Sequence, residues 1–148
     1  MSESAPRSRA ELLAAYRATS YEVIGADERI GARIGRQAPR VDELLRRHGA
    51  QSGTFITAWN PRSSPQPEEA NAQAHARLAA HLDAAGRRQL PHEGASLEGD
   101  WREAGFFVLD LSSDEALALA EAFEQNAVVR VAVGEPAVLL LTRLMPDA

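Results

Sequence analysis

The chain contains no cysteine and no lysine. Without cysteine there is no disulfide framework, no thiol nucleophile and no cysteine-bound zinc. Without lysine there is no Schiff base, no P-loop lysine and no lysine general base, and all 16 positive side chains are arginine. Apolar runs are short: none is long enough to cross a bilayer, and Met1 to Arg9, rich in Ser, Ala and Arg, lacks the apolar centre of a signal peptide. The expectation is a cytoplasmic protein away from the membrane. A basic stripe is missing as well. The net charge is −5, and the pairs Arg46-Arg47 and Arg87-Arg88 sit at helix ends, where cations suit the negative end of the dipole. That argues against nucleic acid as a partner.

What is present suffices for one soluble domain. A chain of 148 residues can bury a single sizeable core but hardly two. Its apolar fraction of 45% and charged fraction of 25% are close to those of globular proteins. The expected division is a flexible segment 1–9 followed by a single globular domain over 10–145.

Short elements alternate along the domain. Ala10 to Ala18 reads as a helix with Leu12, Leu13 and Tyr16 on one side. Tyr21 to Gly25 and Arg29 to Arg36 read as a hairpin, because Ile30, Ala32 and Ile34 alternate with Arg29, Gly31 and Arg33. Pro39 opens a helix through His48, with Gly49 as its stop. Gly53 to Trp59 is a strand with no charge on either face, as a central, doubly covered strand requires. A loop from Arg62 to Pro67 leads to a helix over Glu68 to Ala85, with Pro67 at its first position, Glu68 and Glu69 in its first turn and Gly86 at its end. Gln89 to Asp100 reads as irregular, broken by Pro91, Gly94 and Gly99. Phe106 to Leu111 is the next strand, and Ser112 with Glu115 forms a capping box for the helix that follows. Ala127 to Val133 and Ala137 to Leu144 form a second hairpin around Gly134-Glu135-Pro136. The expected fold is α/β of the α+β kind: one mixed sheet with helices packed on it and hairpins near both ends.

The corner Trp59-Asn60-Pro61-Arg62 carries the strongest functional signal. It delivers an aromatic ring, an amide and a guanidinium to a strand's end, where ligands of such folds commonly sit. Asn71, His75, Leu78 and Leu82 share one helix face, which places Asn71 on the packed side near Asn60. Asn126 follows Leu119 and Phe123 at helical spacing and also points inward. Three inward amides need partners, since an unpaired buried amide costs about 1–3 kcal/mol. Capping of local backbone is the simpler reading of each amide alone. Packing is the simpler reading of Trp59 and Trp101, and exposure that of Arg62. Asn60 is the amide best placed for a ligand, Asn126 for a cap.

Named chemistries are not found. Gly31 to Gly35 lacks the glycine spacing of a dinucleotide site, and Ser96 is not in a nucleophile elbow. His48, His81 and His92 show no metal-ligand spacing. Glu93, Glu98, Asp100 and Glu103 read as a solvated acidic loop beside Trp101, with a proton donor or a hard-cation site as the sharper alternative. No cofactor motif is present.

Four features recur together: Thr57-Ala58-Trp59-Asn60-Pro61; Asn71 followed by Leu78 and Leu82; Trp101 before a strand; and Phe123-Glu124-Gln125-Asn126-Ala127. The set resembles a bacterial domain-of-unknown-function family with the Thr-Ala-Trp-Asn-Pro signature (domain of unknown function 3293), from about Leu13 to Leu141. Two departures stand out. The family shows Glu-Pro-Ser where this chain has Glu103-Ala104-Gly105, and Phe-Gly-Gln-Asn where this chain has Phe123-Glu124-Gln125-Asn126. The resemblance implies no particular activity.

The residues thus favour a small domain binding a polar or anionic ligand in a regulatory or accessory role. Its pocket is framed by Trp59, Asn60, Arg62, Asn71, Gln125 and Asn126. Two alternatives stand beside it: an enzyme of undefined class with His75 or Glu103 as acid or base, and a protein-interaction module using a sheet edge or the C-terminal hairpin.

Overall fold

Residues 7–99 and 101–147 are described by a computed structural model. Four helices, α1 (Arg9–Arg17), α2 (Pro39–Arg47), α3 (Glu68–Ala84) and α4 (Ser113–Ala122), accompany seven strands. These are β1 (Thr19–Ile24), β2 (Arg29–Ala32), β3 (Ser52–Ile56), β4 (Gln89–Ser96), β5 (Arg102–Leu109), β6 (Ala127–Ala132) and β7 (Val138–Leu141). The strands form one sheet in the order β2-β1-β4-β5-β3-β6-β7. Every ladder between these strands is antiparallel.

The expected hairpins, β1–β2 and β6–β7, occupy the two edges of the sheet. Those edges then meet. Ile34 and Ala137 form a parallel bridge, flanked by Gly35 N–H to Ala137 O at 2.8 Å and Ala137 N–H to Arg36 O at 3.1 Å. The sheet therefore curls on itself, which shortens the open edges available for pairing with another chain.

The curl creates two main cores, beside a small cluster of Leu12, Ala127 and Met145. Phe55, Phe107, Leu109, Val129 and Val131 face inward, with Tyr21, Val23 and Ile30, and Val41, Leu44 and Leu45 of α2 fill the space among them. Ile56, Val108 and Val128 face outward and are covered by Ala74, Leu78 and Leu82 of α3 and Ala116, Leu119 and Ala120 of α4. The alternation of Phe55 and Ile56 across β3 is the period of two that a pleated strand imposes. All five β3 residues are buried, as the missing charge predicts, and β5 and β6 flank the strand on its two sides.

Helix boundaries follow local chemistry. Ser8 caps α1 in a capping box with Glu11, so Ser8 and Arg9 belong to the first helix, whereas residues 1–6 of the segment expected to be flexible lie outside the described residues. Ser112 and Glu115 form the same device at α4, as expected. Pro67 is the N-cap of α3 rather than its first turn.

The stretch expected to be irregular, Gln89 to Asp100, is strand through Ser96 and lies in the interior of the sheet; Asp100 itself is outside the described residues. The breakers are tolerated for specific reasons. The β1–β4 ladder ends at Val23 and His92, so Pro91 pairs with β5 alone and its missing N–H costs no rung toward β1. Gly99, at φ +80°, makes the turn to β5. β5 accordingly starts at Arg102, four residues before the apolar run begins.

Candidate functional site

A cavity of about 500 Å³ opens at the end of the curl where β3 runs out. Its floor is buried and largely apolar: Leu12 from α1, Tyr21 from β1, Phe55 from β3, His92 from β4 and Val129 from β6. Half-buried Tyr16, Trp59, Asn60, Gln66 and Glu103 stand around it, with Trp101 at the exposed rim. A partly enclosed hollow of this size with a few convergent polar groups has the form of a small-molecule site.

The polar wall is a directed network. Asn60 N–H donates to Asn71 Oδ1 at 2.8 Å, and Asn71 Nδ2 donates back to Asn60 Oδ1 at 3.0 Å. Gln66 adds its backbone N–H to Asn60 Oδ1 at 3.2 Å and its Nε2 to Asn71 Oδ1 at 2.8 Å. Backbone N–H groups can only donate, so these two bonds settle which end of each amide is oxygen. Asn60 Nδ2 is left pointing at Glu103, 3.0 Å from Oε2. Gln125 supports the same corner from behind, with Nε2 3.2 Å from the Trp59 carbonyl.

The loop carrying this network is strained. Asn60 (φ 47°), Arg62 (φ 56°) and Ser63 (φ 61°) all adopt the left-handed region without being glycine, at a cost of order 1–3 kcal/mol each. Such strain persists only where surroundings over-determine the backbone. Here they do: Arg62 N–H donates to the Glu124 carbonyl, Asn126 Nδ2 donates to Ser63 Oγ at 2.9 Å, and Asn71 holds Asn60. Glu124 is itself at φ 54°. Glycine would adopt that conformation freely.

Besides Tyr16 and Tyr21, whose hydroxyls burial pushes up, two titratable groups in the cavity are displaced from their ordinary behaviour. Burial raises the pKa of Glu103, and the bond from Asn60 only partly opposes it. Burial lowers that of His92 to about 4, against the opposing bond to the Glu22 carbonyl. His92 is therefore neutral at pH 7. Its Nδ1, 3.0 Å from the Glu22 carbonyl oxygen, must carry the proton because a carbonyl only accepts. Its ring lies over Gly105, its cross-strand partner. A Cβ on Gly105 would stand 2.2 Å from the Ile56 carbonyl oxygen and 2.9 Å from His92 Cδ2. The chain thus needs a glycine at position 105.

Of the residues expected to frame a pocket, Trp59, Asn60, Asn71 and Gln125 line the cavity together. Arg62 does not: it turns to the surface and pairs with Glu124 at 3.1 Å. Asn126 is 2% exposed but acts behind the wall, through Ser63, with Oδ1 unpartnered. His75 is also elsewhere, stacked on Phe106 at 4.6 Å on the outer face. The expected acidic loop is not a loop at its ends: Glu93 lies on β4 paired with Arg29 and Arg102, and Glu103 on β5 faces the cavity. Tyr16, Tyr21, Phe55 and His92 are cavity residues that local sequence does not reveal, because the curl alone brings β1 and β4 to β3. Among the described residues no cluster of ligating side chains suited to a metal is found, and no helix is long and apolar enough to cross a membrane.

Residues 56–128 match the model of the family described as "Protein of unknown function (DUF3293)", the family to which the motifs point. The matched segment contains Trp59, Asn60, Gln66, Asn71, His92, Glu103 and Gln125, hence the whole amide network. No curated protein and no solved structure matches the chain.

Proposed function

We propose that this protein binds a small polar organic molecule in the cavity at the end of the curled sheet, in a regulatory or accessory role within the cytoplasm. One observation carries the reading: a directed amide network, held on a strained loop, ends at a half-buried carboxyl that faces a hollow of about 500 Å³. Strain maintained by this many contacts is characteristic of binding and catalytic loops. The case for an anion weakens, because Arg62, the guanidinium that motivates it, is turned to Glu124 at the surface.

A second reading, acid–base catalysis in the same cavity, is favoured by one pair. Glu103 and His92 share the wall with pKa values displaced in opposite directions, a pattern found where one group donates a proton and another accepts it.

Gly94 provides the test. It lines the cavity, and a Cβ there would meet nothing closer than Thr19 Cγ2 at 3.7 Å. Gly94→Val should therefore fold while projecting its side chain into the hollow and narrowing it. In a thermal-shift screen of polar metabolites, we expect stabilising compounds for the natural protein that stabilise Gly94→Val markedly less. An absence of such compounds, or compounds indifferent to the substitution, overturns the reading. Chemical conversion of a bound compound would move it to the catalytic one.

A further inference from the structure

We propose that the molecule the cavity takes is an organic ammonium ion: a protonated amine on an apolar body, its charge seated against Glu103. This rests on the cavity being the ligand site.

Glu103 is the reason. It enters the cavity wall from β5 and, among the described residues, receives one side-chain donor, Asn60 Nδ2, whereas an ionised carboxylate has about four acceptor positions. Among the described residues no arginine or histidine lies within ion-pairing distance of it. The two arginines on the lining leave it so. Arg102 is engaged by Glu93 at 2.7 Å, and Arg7 is exposed. Nor can the amides rearrange to neutralise it, because the backbone N–H groups of Asn60 and Gln66 fix their direction. A half-buried carboxyl without a counter-charge is costly to ionise. A ligand ammonium would supply the missing charge and donate into the unused oxygen positions in a charge-assisted bond.

The rest of the wall suits the remainder of such a molecule. The aromatic side chains of Trp59, Trp101 and Tyr16 line the same hollow, and aromatic faces attract cations. The floor of Leu12, Phe55 and Val129 is buried and apolar, so it offers an apolar body a dry seat. A ligand carboxylate would meet Glu103 with like charge.

The test uses three probes of one shape: phenethylamine, 2-phenylethanol and 3-phenylpropionate. Both tryptophans of the chain line the cavity, so intrinsic fluorescence reports binding directly. At pH 7.5 we expect the amine to bind at least about tenfold more tightly than the alcohol, the gain of one charge-assisted bond over a neutral one, and the carboxylate to be the weakest. Glu103→Gln keeps an oxygen for Asn60 and should erase the advantage of amine over alcohol. Gly94→Val, which narrows the hollow, should weaken binding of all three and covers the case in which Glu103→Gln does not fold. Alcohol or carboxylate binding as tightly as the amine, or an amine preference that survives Glu103→Gln, overturns the inference and leaves the cavity reading standing. Failure of all three probes to bind also overturns it; the cavity reading then depends on the metabolite screen alone.

Discussion

Replacing Asn71 by alanine tests whether the amide network holds the loop. Asn71 is 3% exposed and makes three side-chain hydrogen bonds: from Asn60 N–H at 2.8 Å, from Gln66 Nε2 at 2.8 Å and to Asn60 Oδ1 at 3.0 Å. The three losses are unequal. The Gln66 amide is half-buried and can turn to water, so its share is small. The Asn60 N–H is fixed in a left-handed turn and cannot, which costs about 1–3 kcal/mol for a stranded donor. The amide pair adds about 0.5–1.5 kcal/mol. Alanine recovers roughly half a kcal/mol of helix propensity.

The sum is a loss of about 1–4 kcal/mol, a sizeable part of the 5–15 kcal/mol that typically stabilises a domain. Urea denaturation reads it directly. With a slope of about 2 kcal/mol per molar, the midpoint should fall by roughly 0.5–2 M. Arg62→Ala is the internal control. Its partner Glu124 is on the surface, and the two side chains are 61% and 54% exposed, so its loss should stay below about 1 kcal/mol. An Asn71→Ala loss under about 1 kcal/mol, or one no greater than that of Arg62→Ala, would refute the view that the network maintains the strain in Asn60 to Ser63.

Two further outcomes follow from the same geometry. Between pH 6.5 and about 4 the unfolded chain protonates His92 while the folded protein, where burial depresses its pKa, does not. Stability should therefore fall as pH drops through that window, by up to about 3 kcal/mol. Tyr21 and Phe55 enclose the ring, and Glu93 acts on it weakly. Glu103 acts in the opposite sense: its raised pKa favours the folded state at low pH, a contribution lost as pH rises through the folded value. Urea midpoints at pH 8, 6 and 4 should show a flatter profile for His92→Gln and, for Glu103→Gln, a gain at pH 8 that vanishes by pH 4; parallel profiles would count against both assignments. Glu124→Gly exchanges an exposed ion pair worth under about 1 kcal/mol for relief of a left-handed residue costing about 1–2 kcal/mol. Thermal unfolding should show the variant unchanged or slightly more stable, and a loss above about 1 kcal/mol would contradict the strain argument.

How far the sequence could be read depended on whether information was local. Helix ends were legible because capping boxes and terminal glycines act within a few residues. Ser112 with Glu115 is the clearest case. β3 was legible because a strand free of charge on both faces has no side chain suited to water, and all five of its positions are buried. β4 was not, because Pro91 and Gly94 are breakers by type. Only the register, which ends the β1 ladder at His92, shows why Pro91 does no harm there. The meeting of Asn60 and Asn71 was legible from helix periodicity plus a short loop. Arg62 was misplaced for a related reason: three positive φ values between Asn60 and Ser63 rotate the chain so that its side chain leaves the cavity. Residue type alone does not foretell those angles. Tyr21 and His92 were beyond reach, since they come to the site only through the order and curl of the strands.

The question of whether the amides are scaffold or site therefore has a mixed physical answer. Asn126 acts on the loop from behind, and Asn71 is buried beneath it. Both behave as supports. Asn60 belongs to the same network but passes its last donor to Glu103 at 3.0 Å, on the cavity wall. A network needed only to close a turn would be complete at the reciprocal Asn60–Asn71 pair. Its extension to a half-buried carboxyl, whose ionisation burial opposes, adds an electrostatic cost that turn closure does not require. Costly groups retained at a cavity wall are where local rules and function most often part. The supports hold the loop in its strained form, and that form sets the direction of Asn60. Asn60 in turn fixes one oxygen of Glu103, on the wall of the cavity.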